Sequence, residues 1–121
     1  MIRAVRGAIQ AAEDSEVAIR EAAVRLVSEM LARNSVPQER IVSLLFSVTR
    51  DLTKANPAAA ARRCLGLAQA PLMCLQEAQI EGALPRVIRA LLTYEGDGSK
   101  APIPVYLEGA AALRPDLTQG A

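Results

Sequence analysis

Histidine is absent from this sequence, which removes the commonest general base and the commonest transition-metal ligand together. Serine triads, cysteine–histidine dyads and the usual zinc sites are thereby excluded. Aromatic residues are nearly absent too: Phe46, Tyr94 and Tyr106 are the whole inventory, too few for a base-stacking platform, so no nucleic-acid partner is expected. A charge bias is also missing. Fourteen Lys and Arg against 13 Asp and Glu leave a net charge of +1, which gives no overall field to draw nucleic acid or anionic lipid. Although 51% of the residues are hydrophobic, charges interrupt every stretch well short of the roughly 20 apolar residues that a membrane span requires. No membrane partner is expected.

The segment Met1–Arg6 carries no signal-type apolar run, and the cytoplasm is the expected compartment. The two cysteines, Cys64 and Cys74, are expected to stay reduced in a chain with an ample aliphatic core. The length fits one domain over residues 1–117, followed by a short disordered tail at 118–121. The search therefore narrows to one small site that works through arginine.

Residues 2–10 alternate as an opening strand and place Arg6 on one face with Ala4 and Ala8. Asp14 or Ser15 caps a helix running to about Arg33, with Ile19, Ala22, Ala23, Leu26, Met30 and Leu31 at helical spacing. Glu16–Arg20, Glu21–Arg25 and Glu29–Arg33 are i,i+4 pairs on its other face, each contributing about 0.2–0.5 kcal/mol. Asn34 stops the helix, Pro37 marks a turn, and Ile41–Thr49 is a β-branched, apolar central strand. Asn56 caps a short helix with Pro57 in its first turn, ending near Gly66 and carrying Arg62 and Arg63. Further strands are read over Pro71–Leu75, Pro85–Tyr94 and Ile103–Leu107, followed by a helical turn. Five strands, one long helix and short helices make an α+β chain.

Within the fourth strand, Arg89 alternates with Val87, Leu91 and Thr93. A cation in an apolar row calls for a counter-charge from the protein or from a ligand, although spacing alone also allows an edge strand with Arg89 in water. Glu77 follows the third strand and could pair with Arg89 or accept from a ligand hydroxyl. Taken singly, Cys74 reads as a small core residue, and Tyr106 as a packed aromatic with a satisfied hydroxyl.

Six segments carry more than their parts. Val5-Arg6-Gly7-Ala8-Ile9, Asp51-Leu52 with Pro57-Ala58 and Arg62, Pro71 to Glu77, Leu84 to Arg89, Val105-Tyr106-Leu107-Glu108 and Leu113-Arg114-Pro115-Asp116-Leu117 occur in an order and spacing that resemble the monofunctional bacterial chorismate mutases. The resemblance covers residues 2–117. It implies a mixed five-stranded sheet in a homotrimeric pseudo-α/β barrel, with three active sites between subunits. It implies rearrangement of chorismate to prephenate, in aromatic amino-acid biosynthesis, with no cofactor and no metal. Arg89, Arg6 and Glu77 would be catalytic, with Cys74 and Tyr106 on the same wall and Leu72 and Met73 also binding the substrate. Arg89 would donate to the ether oxygen, Arg6 and Tyr106 would hold the side-chain carboxylate, and Glu77 and Cys74 would meet the ring hydroxyl. Asn56, Ala58, Ala59, Arg62, Leu113 and Arg114 would come from the neighbouring subunit.

Three departures from the family pattern stand out. Asn56 replaces a common aromatic, Ala59 a common lysine, and Ile103-Pro104 the usual basic residues before the last strand. Weaker substrate capture is the expected consequence. Two other readings stay open alongside the resemblance: a trimeric sensor that binds a small dianion without turnover, and an imine deaminase on a similar trimeric fold.

Overall fold

The computed structural model describes residues 1–118, so positions 119–121 of the expected tail lie outside the described residues. The elements run β1 (Ile2–Gln10), α1 (Glu16–Arg33), β2 (Ile41–Val48), α2 (Pro57–Leu65), β3 (Leu72–Gln76), β4 (Val87–Glu95), β5 (Val105–Leu107) and α3 (Pro115–Thr118). Two 3₁₀ segments, Gln38–Arg40 and Glu108–Leu113, join them. The strands form one mixed sheet in the order β3-β2-β4-β1-β5. β4 runs antiparallel to both β1 and β2, while β3 pairs parallel with β2 and β5 parallel with β1.

Local chemistry sets the boundaries. Ser15 caps α1 by accepting from the Ala18 N–H. Asp14 is left to accept from the Thr53 and Lys54 N–H groups instead. Asn56 caps α2 through the Ala58 and Ala59 N–H groups, Pro57 occupies its first turn, and Gly66 closes it in the left-handed region at φ 69°. β4 begins at Val87 rather than Pro85 because Arg86 has φ 55° and gives its N–H to the Asp51 carboxylate. β5 begins at Val105 rather than Ile103 because the Asn34 side chain takes both the N–H and the carbonyl of Ile103. No ladder position then remains for that residue.

Helices α1 and α2 cover one face of the sheet. Ile19, Leu26 and Met30 of α1 and Ala58 and Ala61 of α2 pack there against Val5, Ile9, Leu44, Phe46, Ile88 and Leu92. Two of the three i,i+4 pairs expected on α1 form, Glu16–Arg20 and Glu29–Arg33. Arg25 instead reaches across to Glu108. Among the described residues, the other face is covered at one end, where Ala8, Val87, Tyr106 and Ala110 form a small second cluster with Leu84 and Leu113. Elsewhere that face is open, and Leu45, Met73, Leu75 and Leu91 stand exposed on it. Among the described residues, no helix is long and apolar enough to cross a membrane.

Candidate active site

β4 is the middle strand of the sheet, so the edge-strand reading of Arg89 does not hold. Arg89 nevertheless avoids the hydrophobic interior. Successive side chains alternate between faces, and because Ile88, Ala90 and Leu92 point at the helices, Arg89 points to the open face. Register then lines up one row across that face: Tyr106 of β5, Ala8 of β1, Arg89 of β4, Ser47 of β2 and Leu75 of β3. Arg6 lies in the next row, opposite Leu91.

The small side chains of Ala8 and Ser47 flank Arg89 and leave free space on both sides of the guanidinium. A depression of about 220 Å³ forms there, lined by Arg6, Leu45, Ser47, Leu75, Arg89, Leu91 and Tyr106 among others. Glu77 stands one residue beyond β3, and its N–H bonds the Val48 carbonyl. Arg89 Nε donates to Glu77 Oε1 at 3.1 Å, and Ser47 Oγ lies 3.4 Å from the same oxygen. A larger hollow of about 640 Å³ lies on the far side of Glu77, between Thr49–Asp51 and the loop leading to Pro85.

This arrangement suits a small anion. Two guanidiniums and a phenol converge on one patch of sheet, with one carboxylate at its margin. Arginine offers forked donors that match a carboxylate bidentately and stays charged at any working pH. Among the described residues, no group of three or more Cys, Asp or Glu is placed to hold a metal ion.

Arg6, Arg89, Glu77, Tyr106 and, by register, Met73 lie on or beside the open face. Leu72 and Cys74 do not present their side chains to it: both pack against the helix-side core, and burial pushes the Cys74 thiol up from its ordinary pKa. A contact from Cys74 to a ligand on the Arg89 side would have to come from its backbone. Asn56, Ala58, Ala59 and Arg62 belong to the helix layer, on the opposite side of the sheet from Arg89. Ala58 is buried in that layer, and the Asn56 side-chain oxygen is occupied by capping.

Leu113 and Arg114, which the resemblance would bring from the neighbouring subunit, lie beside Tyr106 of their own chain. Leu113 packs on the Tyr106 cluster of its own chain. Arg114 is clamped by Asp116 at 3.2 and 3.1 Å. The Asp116 hydrogen bond and charge, with Tyr106 contributing further, push Arg114 above its ordinary pKa. The 3₁₀ segment Glu108–Leu113 folds back over β1 and β5, which sets this pair next to Tyr106.

Leu45, Ser47, Leu75 and Leu91 also line the depression, and sequence reasoning does not single them out. Ser47 carries a readable signal all the same: it is a hydroxyl inside the otherwise apolar stretch Leu44–Val48.

Residues 2–117 match the family model of chorismate mutase type I. The chain is 42% identical over 119 residues to chorismate mutase AroH of Thermus thermophilus, covering 97% of each chain. It is 36% identical over 119 residues to chorismate mutase AroH of Bacillus subtilis strain 168, covering 98% of this chain and 94% of that one. The fold matches a solved chorismate mutase from Clostridium thermocellum with a TM-score of 0.87 and 33% identity, over 91% of this chain and 98% of the other. Sequence likeness over nearly the whole length and a shared fold lead to one conclusion: the chain belongs to the type I chorismate mutase family.

Proposed function

We propose that this chain rearranges chorismate to prephenate, on the route to aromatic amino acids, at the depression around Arg89. The observation that carries the reading is the row Tyr106–Ala8–Arg89–Ser47 with Arg6 beside it. It presents two permanent cations and a phenol across a gap kept open by small side chains. Chorismate is a dianion, and its rearrangement is unimolecular: the ether C–O bond breaks as a C–C bond forms between the enolpyruvyl chain and the ring. No proton is transferred, and no external electron donor or acceptor takes part, so the chemistry calls for no cofactor. What accelerates it is restriction to the compact conformer and stabilisation of the negative charge that grows on the ether oxygen.

Arg89 takes the second task. Its Nε is held by Glu77, which leaves the terminal nitrogens to donate to the ether oxygen. Arg6 and Tyr106, next to each other at the β1–β5 side, hold the side-chain carboxylate, with Arg114 behind Tyr106. Glu77 accepts from the ring hydroxyl. Leu45, Leu75 and Leu91 give the ring an apolar floor, and Met73 stands at its margin.

The working assembly is a homotrimer in the cytoplasm. The exposed leucines of the open face and Met73 are the surface that association would cover. A neighbouring subunit would close the depression with the α2 residues Asn56, Ala59 and Arg62, which one chain keeps on the far side of its own sheet. The test is direct. Purified protein is mixed with chorismate, and loss of its ultraviolet absorbance is followed together with prephenate, assayed as phenylpyruvate after acid treatment. Turnover that persists under exhaustive chelation is expected. Binding of chorismate without turnover would overturn the proposal.

A further inference from the structure

Ser47 is an unusual choice for its place. It sits in β2, an interior strand, where β-branched and aromatic residues pack best, and Leu44 and Phe46 on the same strand are fully buried. The serine faces the other way, into the row between Arg89 and Leu75. Its hydroxyl lies 3.4 Å from Glu77 Oε1, the oxygen that also receives Arg89 Nε at 3.1 Å. An ionised carboxylate only accepts, so Ser47 is the donor in this contact. Oε1 thus has a donor for each of its two lone pairs, and neither of these contacts uses Oε2.

We infer that Ser47 is a positioning residue, which holds the Glu77 carboxylate in a one-point contact with Arg89 so that Oε2 stays available to a ligand hydroxyl. The inference rests on the proposed role of Glu77 toward the ring hydroxyl. Its physical basis is the alternative geometry. Arginine and carboxylate favour a two-point, fork-to-fork pairing, which would consume Oε2 and one terminal nitrogen of Arg89. Both are groups the substrate needs. With Ser47 anchoring Oε1, rotation of the carboxylate into that closed pairing loses a hydrogen bond. Without Ser47, the closed pair must be opened each time substrate binds, and the cost falls on the ground and transition states alike.

Threonine and valine at this position have the same shape and differ in the hydroxyl alone, so the two variants isolate the hydrogen bond from packing. Steady-state kinetics with chorismate would be measured for Ser47→Thr and Ser47→Val, each with native Glu77 and with Glu77→Ala. Folding and assembly are checked by circular dichroism and sedimentation. With Glu77 present, Ser47→Val has a KM roughly three- to tenfold above that of Ser47→Thr, with the kcat of the two within about twofold. With Glu77→Ala, the Thr and Val variants become equal. If the added methyl prevents folding, Ser47→Ala compared with the parent in both Glu77 backgrounds gives the same contrast. Equal KM for Thr and Val with Glu77 present, or a difference that survives Glu77→Ala, overturns the role of Ser47. If Glu77→Ala alone leaves both constants unchanged, the proposed role of Glu77 fails, and that of Ser47 fails with it.

Discussion

Arg89 and Glu77 are joined through one nitrogen and one oxygen, Nε to Oε1 at 3.1 Å, and the arginine side chain keeps 41% of its surface exposed while that of the glutamate keeps 19%. The pair therefore orients the guanidinium without using up its donors. A contact this exposed contributes little to stability, so its presence in the middle strand points to orientation of a charge that binds something else. Arg89→Ala is expected to fold normally and to lose at least the roughly 10²–10³-fold in kcat that accompanies removal of one oxyanion-type donor. Arg89→Lys should recover little, because a point charge cannot hold the Glu77 contact and present a planar fork at once. A folded Arg89→Ala protein with near-normal kcat would refute the electrostatic mechanism.

The placement of Arg6 and Arg62 on opposite sides of one sheet makes complementation between subunits a sharp test of the shared site. Arg6→Ala and Arg62→Ala proteins are each expected to be nearly inactive. When the two are unfolded together in equal amounts and refolded, roughly a quarter of the pockets in a cyclic assembly combine two intact walls. Activity should rise to about that share. Sedimentation should report a trimer; a fully active monomer, or no recovery on mixing, counts against the assembly.

Sequence is informative about this fold wherever local chemistry decides the outcome. Helix caps and turns are readable because Ser15, Asn56, Pro57 and Gly66 act on their own neighbours. Sheet order is not: nothing local distinguishes a middle strand from an edge strand around Arg89, and that choice is made by pairing between residues far apart in the chain. The face of β3 is also hidden. Leu72, Met73, Cys74 and Leu75 are apolar on both sides, so alternation gives no contrast, and Leu75 rather than the Cys74 side chain stands beside Ser47. The place of Arg114 depends on how Glu108–Leu113 folds back over Tyr106, a tertiary contact with no sequence period. Arg6, Arg89, Glu77 and Tyr106 stand out as a set only because whole segments of the chain resemble a family; spacing alone leaves each of them an ordinary structural reading.

Gly7 fixes how closely α1 approaches the strand that carries Arg6 and Ala8. A methyl group at this position would stand 2.7 Å from Met30 Sδ, 3.0 Å from the Val105 carbonyl oxygen and 3.1 Å from Leu26 Cδ1. The methionine can move aside, but the carbonyl belongs to the β5 ladder and cannot. Gly7→Ala is therefore expected to destabilise the fold by about 1–3 kcal/mol, the range for overpacking a filled core. Thermal unfolding would measure it. KM should rise as well, because any outward shift of β1 moves Arg6 relative to Tyr106 on β5. An unchanged melting temperature would mean that the β1–α1 approach is looser than these distances require.

Asp14 supplies the last prediction, because it links the start of α1 to the segment before α2 through one side chain. Its Oδ2 accepts from the Thr53 hydroxyl at 2.7 Å, and its Oδ1 from the Thr53 and Lys54 N–H groups at 2.9 and 3.1 Å. The Thr53 hydroxyl first, then the Thr53 N–H and the lesser contribution of Lys54, hold its carboxyl below the ordinary value of 3.8. Each of these donors favours the ionised form. A carboxyl whose pKa is depressed in the folded state adds stability that is complete above its unfolded pKa and is lost as pH falls through the folded one. The Asp14 contribution should therefore be constant at neutral pH and fade below about pH 3.8. Melting temperatures of the parent and of Asp14→Ala, followed from neutral pH into acid, are expected to differ by a constant margin that narrows in that acid window. A margin that widened as pH fell would reverse the sign of the linkage and show that the ionised carboxylate is not what holds Thr53 and Lys54.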